Sequence, residues 1–226
     1  MKNILYTLCI ILLMNACKNN TTNSDTASEG AKAVENTTNN SGNLKSVFYE
    51  TETTLPQGMG SSTSKVYTDD YGKKLSTLTE SNITMAGKSM NNTSHTLIVD
   101  GYSYSWNSSA KNGIKVKIDE TNFNPNSMDI AKLSEELKQK ISFKEEGKEA
   151  INGKECNVFS FNMEGAQAKM WNWKGIPMKM ELNMMGNTIT SNVKNIQENP
   201  SIPAGTFDVP SDITFNEVNQ SMTNEQ

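Results

Sequence analysis

Apolar and polar residues alternate along most of this chain, and no other feature constrains its fold as strongly. Side chains of a β-strand point to opposite faces in turn, so a period of two indicates strands. The alternating runs cover 45–50, 97–99, 102–107, 114–118, 157–161 and 169–173, and a last long strand begins near Ile176. Asp100-Gly101 and Asn112-Gly113 are hairpin signals between runs. The sequence therefore predicts a mostly β domain, with an antiparallel meander as the simplest topology.

One amphipathic helix is predicted to interrupt the strands. Ser127 is suited to the N-cap position, and Asp129 lies where the helix dipole favours an acid. The helix is expected to end before Gly147. Its apolar stripe consists of Ile130, Leu133, Leu137 and Ile141. A single amphipathic helix within an antiparallel sheet must lay this stripe on one face of the sheet.

The N-terminus carries the pattern of a bacterial lipoprotein signal. The apolar run 4–14 is shorter than the roughly 20 residues that a membrane span needs, and Ala16 directly precedes Cys17. Cleavage before Cys17 would remove residues 1–16 as a signal peptide and leave a thiol that can carry lipid. We expect this lipid to anchor the chain permanently in a membrane. A plain secretory signal and a buried N-terminal strand are the alternatives.

Three further segments follow from composition. Residues 17–43 comprise the lipidated Cys17 and a polar stretch without aromatic residues, which is expected to be a flexible tether. Residues 44–215 have the length of a single domain, and 216–226 are predicted to be a disordered tail. Neither an Asp next to Cys17, which retains some lipoproteins at the inner membrane, nor the acidic pair that directs surface export in Bacteroidota is present. We therefore expect the periplasmic face of the outer membrane, with surface display as the alternative.

Charge and composition exclude some classes of partner. All 21 basic residues are lysines, the net charge is −4 and the pI is about 5.2. Without arginine the chain lacks the usual bidentate contacts to phosphates and bases, and it has no basic patch. We therefore predict no nucleic-acid binding. The apolar content of 35% indicates a thin core for this length.

Residues for catalysis or metal binding are sparse. Once Cys9 leaves with the signal and Cys17 carries lipid, Cys156 is the remaining cysteine, and it is expected to be a buried strand residue. His95 is the only histidine and is expected in a half-exposed strand, so no nucleophile–base pair can be assembled. Ser62 and Lys65 form a Ser-x-x-Lys motif without its companion motifs. We predict no enzymatic activity, no cofactor and no metal site.

Two acidic pairs are poor candidates for cation ligands. Asp69-Asp70 and Glu145-Glu146 are expected in solvated turns, because a calcium loop needs a longer regular series of oxygen ligands.

The most distinctive stretch is rich in methionine. Ile176, Met178, Met180, Leu182 and Met184 alternate with polar residues, which predicts one apolar face. Such a face is either an ordinary core strand or an adaptable wall of an apolar cavity. A copper(I) site at Met178 and Met180 is disfavoured, because no Cys or His lies nearby in the sequence.

Three segments support a family resemblance. Residues 171–177 read Trp-Asn-Trp-Lys-Gly-Ile-Pro, 99–106 read Val-Asp-Gly-Tyr-Ser-Tyr-Ser-Trp, and 202–210 read Ile-Pro-Ala-Gly-Thr-Phe-Asp-Val-Pro. They resemble a group of uncharacterised bacterial lipoproteins that is similar to the LolA/LolB-type periplasmic lipoprotein carriers, and the resemblance covers most of 44–215. It implies an α+β, mostly β fold: a strongly curved antiparallel sheet, or half-open barrel, with one amphipathic helix on its concave face.

Two hypotheses of function follow. In the carriers the hollow holds acyl chains, so the first is a lipid-anchored envelope lipoprotein that binds an acyl chain or another apolar ligand. Because this chain lacks the arginine found inside the carriers' hollow, an anchored ligand-holding role fits better than shuttling. The candidate lining is Tyr102, Tyr104, Trp106, Trp171, Trp173, Met178 and Met180. The second hypothesis is a structural or protein-interaction lipoprotein of the outer envelope without a small-molecule ligand. In both, the chain is a monomer.

Overall fold

The computed structural model describes residues 44–85, 87–118, 135–163 and 166–218, all of them within the unit Asn40–Gln226. The predicted signal peptide, Cys17 and the tether lie outside the described residues. The same is true of 119–134, which contains Ser127 and most of the predicted helix, and of the end of the predicted tail.

Within the described ranges the chain is mostly β and forms one curved, unclosed sheet of twelve strands. The strands of the first half are β1 Val47–Thr54, β2 Gly60–Asp69, β3 Lys74–Met85, β4 Lys88–Val99, β5 Tyr102–Asn107 and β6 Asn112–Lys117. Those of the second half are β7 Lys144–Ile151, β8 Lys154–Met163, β9 Ala166–Trp173, β10 Ile176–Met184, β11 Asn187–Glu198 and β12 Thr214–Glu217. The described helix α1, Glu135–Lys140, precedes β7, and single helical turns occur at Pro56–Gly58 and Asp70–Gly72.

The strand order is β12-β6-β5-β4-β3-β2-β1-β11-β10-β9-β8-β7. Each half is an antiparallel meander, as the alternation predicts, but the halves join through β1 and β11, which pair antiparallel from Val47↔Glu198 onward. At one edge of the sheet, β12 pairs parallel with β6. A single continuous meander is therefore wrong, because local alternation does not determine which distant strands pair.

Both halves contribute to one core cluster. Its buried members are Val47, Tyr49, Val66, Leu75, Ile98, Cys156, Val158, Trp171, Trp173, Ile176, Met178 and Val193. Burial raises the pKa of Tyr49 to about 12. Cys156 is fully buried in β8, which confirms its prediction as a buried strand residue, and desolvation raises the pKa of its thiol. We refer to the full set of buried residues named at the start of this paragraph as the core cluster.

Two turn predictions have different outcomes. Asp100-Gly101 forms the predicted tight hairpin between β4 and β5, with φ of 52° and 75°, as a turn of this kind requires. Asn112-Gly113 does not form a turn: both residues belong to β6, and the connection lies at 108–111, where the Ala110 N–H donates to the Asn107 carbonyl at 2.9 Å. A contact of Gly113 described below explains why glycine occupies this strand position.

Other boundaries also need correction. The strand that begins at Ile176 ends at Met184, and after a turn at Met185 and Gly186 a further long strand, β11, follows. Glu145 and Glu146 lie exposed in β7 and not in a turn, whereas Asp70 begins a helical turn as expected. β12 continues through Glu217, past the predicted end of the domain at residue 215. Asn216 and Glu217 pair with β6 and so are part of the sheet, not of a tail.

Only the last part of the predicted helix is described. Helix α1 ends at Lys140, before Gly147 as predicted. Ile141, a member of the predicted apolar stripe, follows the helix, and its carbonyl accepts a hydrogen bond from the Asn162 N–H at 2.6 Å. The predicted position of the helix on the concave face falls on residues outside the described ranges. Among the helical segments that are described, none is both long enough and apolar enough to span a membrane.

Candidate ligand-binding site

The seven predicted lining residues occupy two separate parts of the sheet. Tyr102, Tyr104 and Trp106 belong to β5, whereas the other four belong to β9 and β10. In the sheet order β4, β3, β2, β1 and β11 lie between these two parts. The pairing of strands therefore does not make the two groups neighbours, and each is described separately.

The β5 side chains form an aromatic row with Phe215 of β12. The Phe215 ring meets Tyr104 edge-on at 5.0 Å and Trp106 edge-on at 5.7 Å between centroids. The Tyr102 and Tyr104 rings are 6.3 Å apart, and the Lys115 Nζ lies 3.9 Å from the Tyr102 ring centroid. Edge-to-face packing and cation–π contacts of this kind are both attractive. We call these four residues, Tyr102, Tyr104, Trp106 and Phe215, the aromatic row. Phe215 of the C-terminal strand thus partly covers the Tyr104 and Trp106 rings.

Gly113 explains how Phe215 reaches the row. The two residues are direct partners between the parallel strands β6 and β12. A Cβ atom on residue 113 would lie 2.7 Å from the Phe215 Cε1 atom. Glycine therefore leaves the space that the phenylalanine ring fills, a pairing that stabilises glycine in sheets.

His95 packs against the end of this row. Its ring stacks on Trp106 at 4.8 Å with an interplanar angle of 2°, and its Nε2 lies 2.8 Å from the Ser108 Oγ. Burial lowers the pKa of His95, so the ring is neutral at pH 7. The prediction of a half-exposed strand residue is confirmed. Across the described part of the chain, no three His, Cys, Asp or Glu side chains are grouped so that they could hold a metal ion.

Trp171 is enclosed by charged side chains although it belongs to the core cluster. It is 3% exposed, and its Nε1–H donates to Glu149 Oε2 at 2.7 Å. The Nζ atoms of Lys169 and Lys179 lie 4.9 and 4.3 Å from its ring centroid. Glu146 accepts from Ser160 and Lys169, which holds the pKa of its carboxyl below the usual range. These contacts fix the buried indole in place within the core cluster.

Trp173 has a second pair of lysines. The Nζ atoms of Lys154 and Lys174 lie 4.3 and 4.8 Å from its ring centroid. Both lysines also bind the Glu198 carboxylate, at 2.7 and 3.2 Å. Hydrogen bonds from Lys154 and Lys174 lower the pKa of Glu198. This arrangement connects the hairpins that begin β8 and β10 to the end of β11.

The methionine-rich strand does not have the single face that its alternation predicts. The register of β10 against β9 shifts between Pro177 and Lys179, which makes Met178 the extra residue of a β-bulge. Met178 is fully buried in the core cluster. Met180 is half-buried, pairs with Met170, and is not part of that cluster.

Beyond the bulge lies a second apolar surface, which we call the apolar wall. It consists of Phe159, Phe161, Ala168, Met170, Met180 and Leu182. Directly paired residues of antiparallel strands share a face, and here the pairs join β8, β9 and β10 in two parallel rows. Every member except Met180 is buried, yet none belongs to the core cluster. Sequence reasoning identified Met180 and the alternation around Phe159, but not that the three strands align.

The open cavities among the described residues include the following two. One, of about 320 Å³, is polar and is lined by Ser61, Ser62, Thr63, Glu80, Ser81, Asn82, Asn91, Asn92 and Thr93. The other, of about 400 Å³, is lined by Lys138, Gln139, Ser142, Phe143, Lys144 and Glu145. The second adjoins the apolar wall, because the Phe143 ring stacks on Phe159 at 5.4 Å and 28°.

Comparison with known proteins reveals only distant structural likenesses. No family model and no curated protein matches the sequence. An uncharacterized conserved protein from Thermus thermophilus aligns with 78% of this chain and 93% of its own at 10% identity and a TM-score of 0.47. LprF from Mycobacterium bovis aligns with 72% of this chain and 90% of its own at 13% identity and a TM-score of 0.38.

A third likeness is to PNGF-II, at 10% identity and a TM-score of 0.46. The alignment covers 78% of this chain but only 32% of the PNGF-II chain, so this chain spans about a third of that protein. Overlaps of this extent do not identify a family or a function.

Proposed function

We propose that this protein is a lipid-anchored protein of the cell envelope that holds an acyl chain or another apolar ligand against the apolar wall. The observation that carries the proposal is the wall itself. Its six side chains form an apolar surface that the core cluster does not use. Five of the six side chains are already buried within the chain, so an entering ligand has to displace part of their present apolar cover.

The composition and the border of the wall suit a ligand that varies in shape. Met170 and Met180 are unbranched and can adapt to different chains. Phe143 follows α1 and stacks on Phe159 at the edge of the wall. In this proposal an entering acyl chain takes the place of the Phe143 ring, and the cavity beside Phe143 is the entrance.

The predicted lining residues have different roles in this proposal. Met180 contacts the ligand. Trp171, Trp173 and Met178 hold the strands from within the core cluster, where Lys and Glu side chains fix the two indoles. Tyr102, Tyr104 and Trp106 lie far away in the strand order, where Tyr104 and Trp106 pack on Phe215 of the C-terminal strand.

The anchor and the location belong to the same proposal. Cys17 carries lipid, the folded unit lies at the periplasmic face of the outer membrane as a monomer, and the protein catalyses no reaction. Labelling cells with radioactive palmitate and fractionating the membranes tests this. Label is expected in the outer-membrane fraction with Cys17 and is expected to vanish in Cys17→Ala.

Native mass spectrometry tests the binding function. The chain 17–226 with Cys17→Ser, which cannot be lipidated, is measured before and after incubation with total lipid extract. We expect a stoichiometric apolar adduct that Met180→Glu abolishes, because a charge on the wall opposes burial of an acyl chain. Met185→Glu is the matched control, since Met185 is 78% exposed in the turn after β10.

Circular dichroism shows whether each variant is folded. If Met180→Glu is unfolded, Met180→Ser replaces it, because serine adds no charge. A chain that remains free of lipid in every sample overturns the proposal. Co-purification of one envelope protein with that lipid-free chain would instead support the structural or protein-interaction function.

A further inference from the structure

A row of hydroxyl and amide side chains continues the apolar wall across the sheet. Ser191 of β11 pairs directly with Met180, and the same row runs on through the first half of the sheet. Its polar members, which we call the hydroxyl row, are Ser191, Thr53, Ser62, Ser81 and Asn92. Because direct partners share a face, the hydroxyl row and the apolar wall lie on the same face of the sheet.

A second row beside it has the same character. It consists of Thr51, Ser64, Thr79, Ser94 and Asn107, which pair in this order from β1 to β5. Some neighbours bond to each other, such as Thr53 to Ser191 at 3.0 Å and Ser64 to Thr79 at 2.9 Å. The two rows together form a continuous array of hydroxyl and amide groups over six neighbouring strands, β11 and β1 to β5.

Charge is segregated between the two faces of these strands. Neither row contains a charged residue, whereas Glu52, Lys65 and Glu80 alternate with row members and so lie on the opposite face. Burial differs in the same way: Ser62 and Ser64 are half-buried, but the intervening Thr63 and Lys65 are exposed. The rows are therefore polar and uncharged, and they are half-buried except at their ends, where Asn92 and Asn107 are exposed.

We propose that the ligand is an amphiphile whose acyl tail lies on the apolar wall and whose uncharged, hydroxylated head group lies on the hydroxyl row. This inference rests on the proposed function and specifies its ligand. Hydroxyl groups both donate and accept hydrogen bonds, so they complement the hydroxyl groups of a sugar. A charged head group would meet no opposite charge in either row and would lose its hydration without compensation.

The hydroxyl row is long enough to hold a sugar head group. Neighbouring strands are about 4.8 Å apart, so the four steps from Ser191 to Asn92 span about 19 Å. The row begins at the partner of Met180, where the wall ends, so tail and head bind in one continuous line.

A set of amphiphiles with one tail and different heads tests the inference. Dodecyl maltoside, dodecylphosphocholine, dodecanoate and free maltose are titrated below micelle-forming concentrations by isothermal calorimetry against the chain 17–226 with Cys17→Ser. We expect dodecyl maltoside to bind about tenfold more tightly than dodecanoate, the ratio that about two additional hydrogen bonds produce. Maltose alone is expected to bind far more weakly, because it has no tail to bury.

A matched pair of variants locates the effect. Ser62→Ala/Ser81→Ala removes two members of the hydroxyl row and is expected to abolish the tenfold preference. Ser61→Ala/Ser76→Ala removes two serines from the same strands on the opposite face, and the preference is expected to persist. Loss of the preference only in the first variant supports the inference.

The other outcomes separate the inference from the function on which it rests. Equal binding of all three dodecyl compounds overturns the inference but leaves the proposed acyl-binding function intact. A preference that survives in Ser62→Ala/Ser81→Ala overturns the assignment to the hydroxyl row. If maltose binds as tightly as dodecyl maltoside, the tail contributes nothing to binding, and the inference that the ligand is an amphiphile is overturned. No binding of any compound overturns both proposals.

Discussion

Gly113 lies directly beneath the ring of Phe215, and a Cβ atom on residue 113 would approach both the Phe215 Cε1 and the Ser105 carbonyl oxygen to 2.7 Å. This contact closes the parallel pairing of β12 with β6 and places Phe215 between Tyr104 and Trp106. The ring over the glycine thus adds a side-chain contact to the backbone pairing and the ion pairs that hold the C-terminal strand at the sheet edge.

Gly113→Ala is expected to lower the free energy of unfolding by about 1–3 kcal/mol, the usual cost of overpacking a well-filled site. Urea denaturation followed by circular dichroism measures the change. Phe215→Leu in the same background should restore part of the loss, because leucine gives the new methyl group more space. A Gly113→Ala variant as stable as the parent would contradict the observed packing.

The stacking of His95 on Trp106 predicts that tryptophan fluorescence changes with pH. Burial lowers the pKa of His95 below the ordinary value of about 6.5. The stability that depends on neutral His95 is therefore present above pH 6.5 and is lost as the pH falls through the lowered pKa. Because the ring stacks on Trp106, its protonation should quench tryptophan emission with a midpoint below 6.5. A midpoint at or above 6.5, or an unchanged titration in His95→Gln, would contradict the assignment.

The hydrogen bond from Trp171 to Glu149 predicts coupling between the two side chains. Bonds to charged groups contribute about 1.5–3 kcal/mol, but the Glu149 side chain is 53% exposed, so we expect about 1 kcal/mol. A double-mutant cycle with Trp171→Phe and Glu149→Gln measures it by urea denaturation. Glu145→Gln, on the same strand, is the control and should be additive with Trp171→Phe. Additivity in both cycles would show that the bond contributes nothing.

Glu198 predicts a loss of stability in acid. Hydrogen bonds from Lys154 and Lys174 lower its pKa. The stability that the ionised carboxylate contributes is therefore fully present above the ordinary glutamate pKa of about 4.3. It is lost as the pH falls through the lowered pKa. The stability difference between the parent and Glu198→Gln should therefore shrink between about pH 5 and pH 3. Chemical denaturation at several pH values tests this, and a difference independent of pH would contradict it.

Some features could be predicted because they depend on neighbours in sequence. The β5 alternation, the Asp100-Gly101 hairpin and the burial of Cys156 follow from side-chain direction and turn geometry. The methionine strand was only partly predictable. Alternation assigned Met178 and Met180 to one face, but a bulge separates them into different apolar groups. Alternation does not reveal the bulge, whereas Pro177 beside it is a residue that sheets accept at bulges.

The candidate site was less predictable than the strands. The family resemblance predicts Trp171 and Trp173 as lining residues of a hollow, whereas four lysines and their glutamate partners lie against them in the structure. Glu149 and Glu198 are distant from these tryptophans in sequence, so no local pattern reveals the contacts. Phe215 was placed at the end of the domain without a partner, and only the pairing of β12 shows it packed on Tyr104.

By itself, the sequence determined that this chain forms antiparallel strands with polar turns, that Cys156 is buried, and that helix α1 ends before Gly147. These properties depend on the period of side-chain direction and on local backbone preference. Only the tertiary structure decided that β1 pairs with β11 and that Ser191 meets Met180, so that a polar row and an apolar wall share one face. Such pairings depend on register between strands far apart in sequence, where a shift of one residue exchanges the two faces.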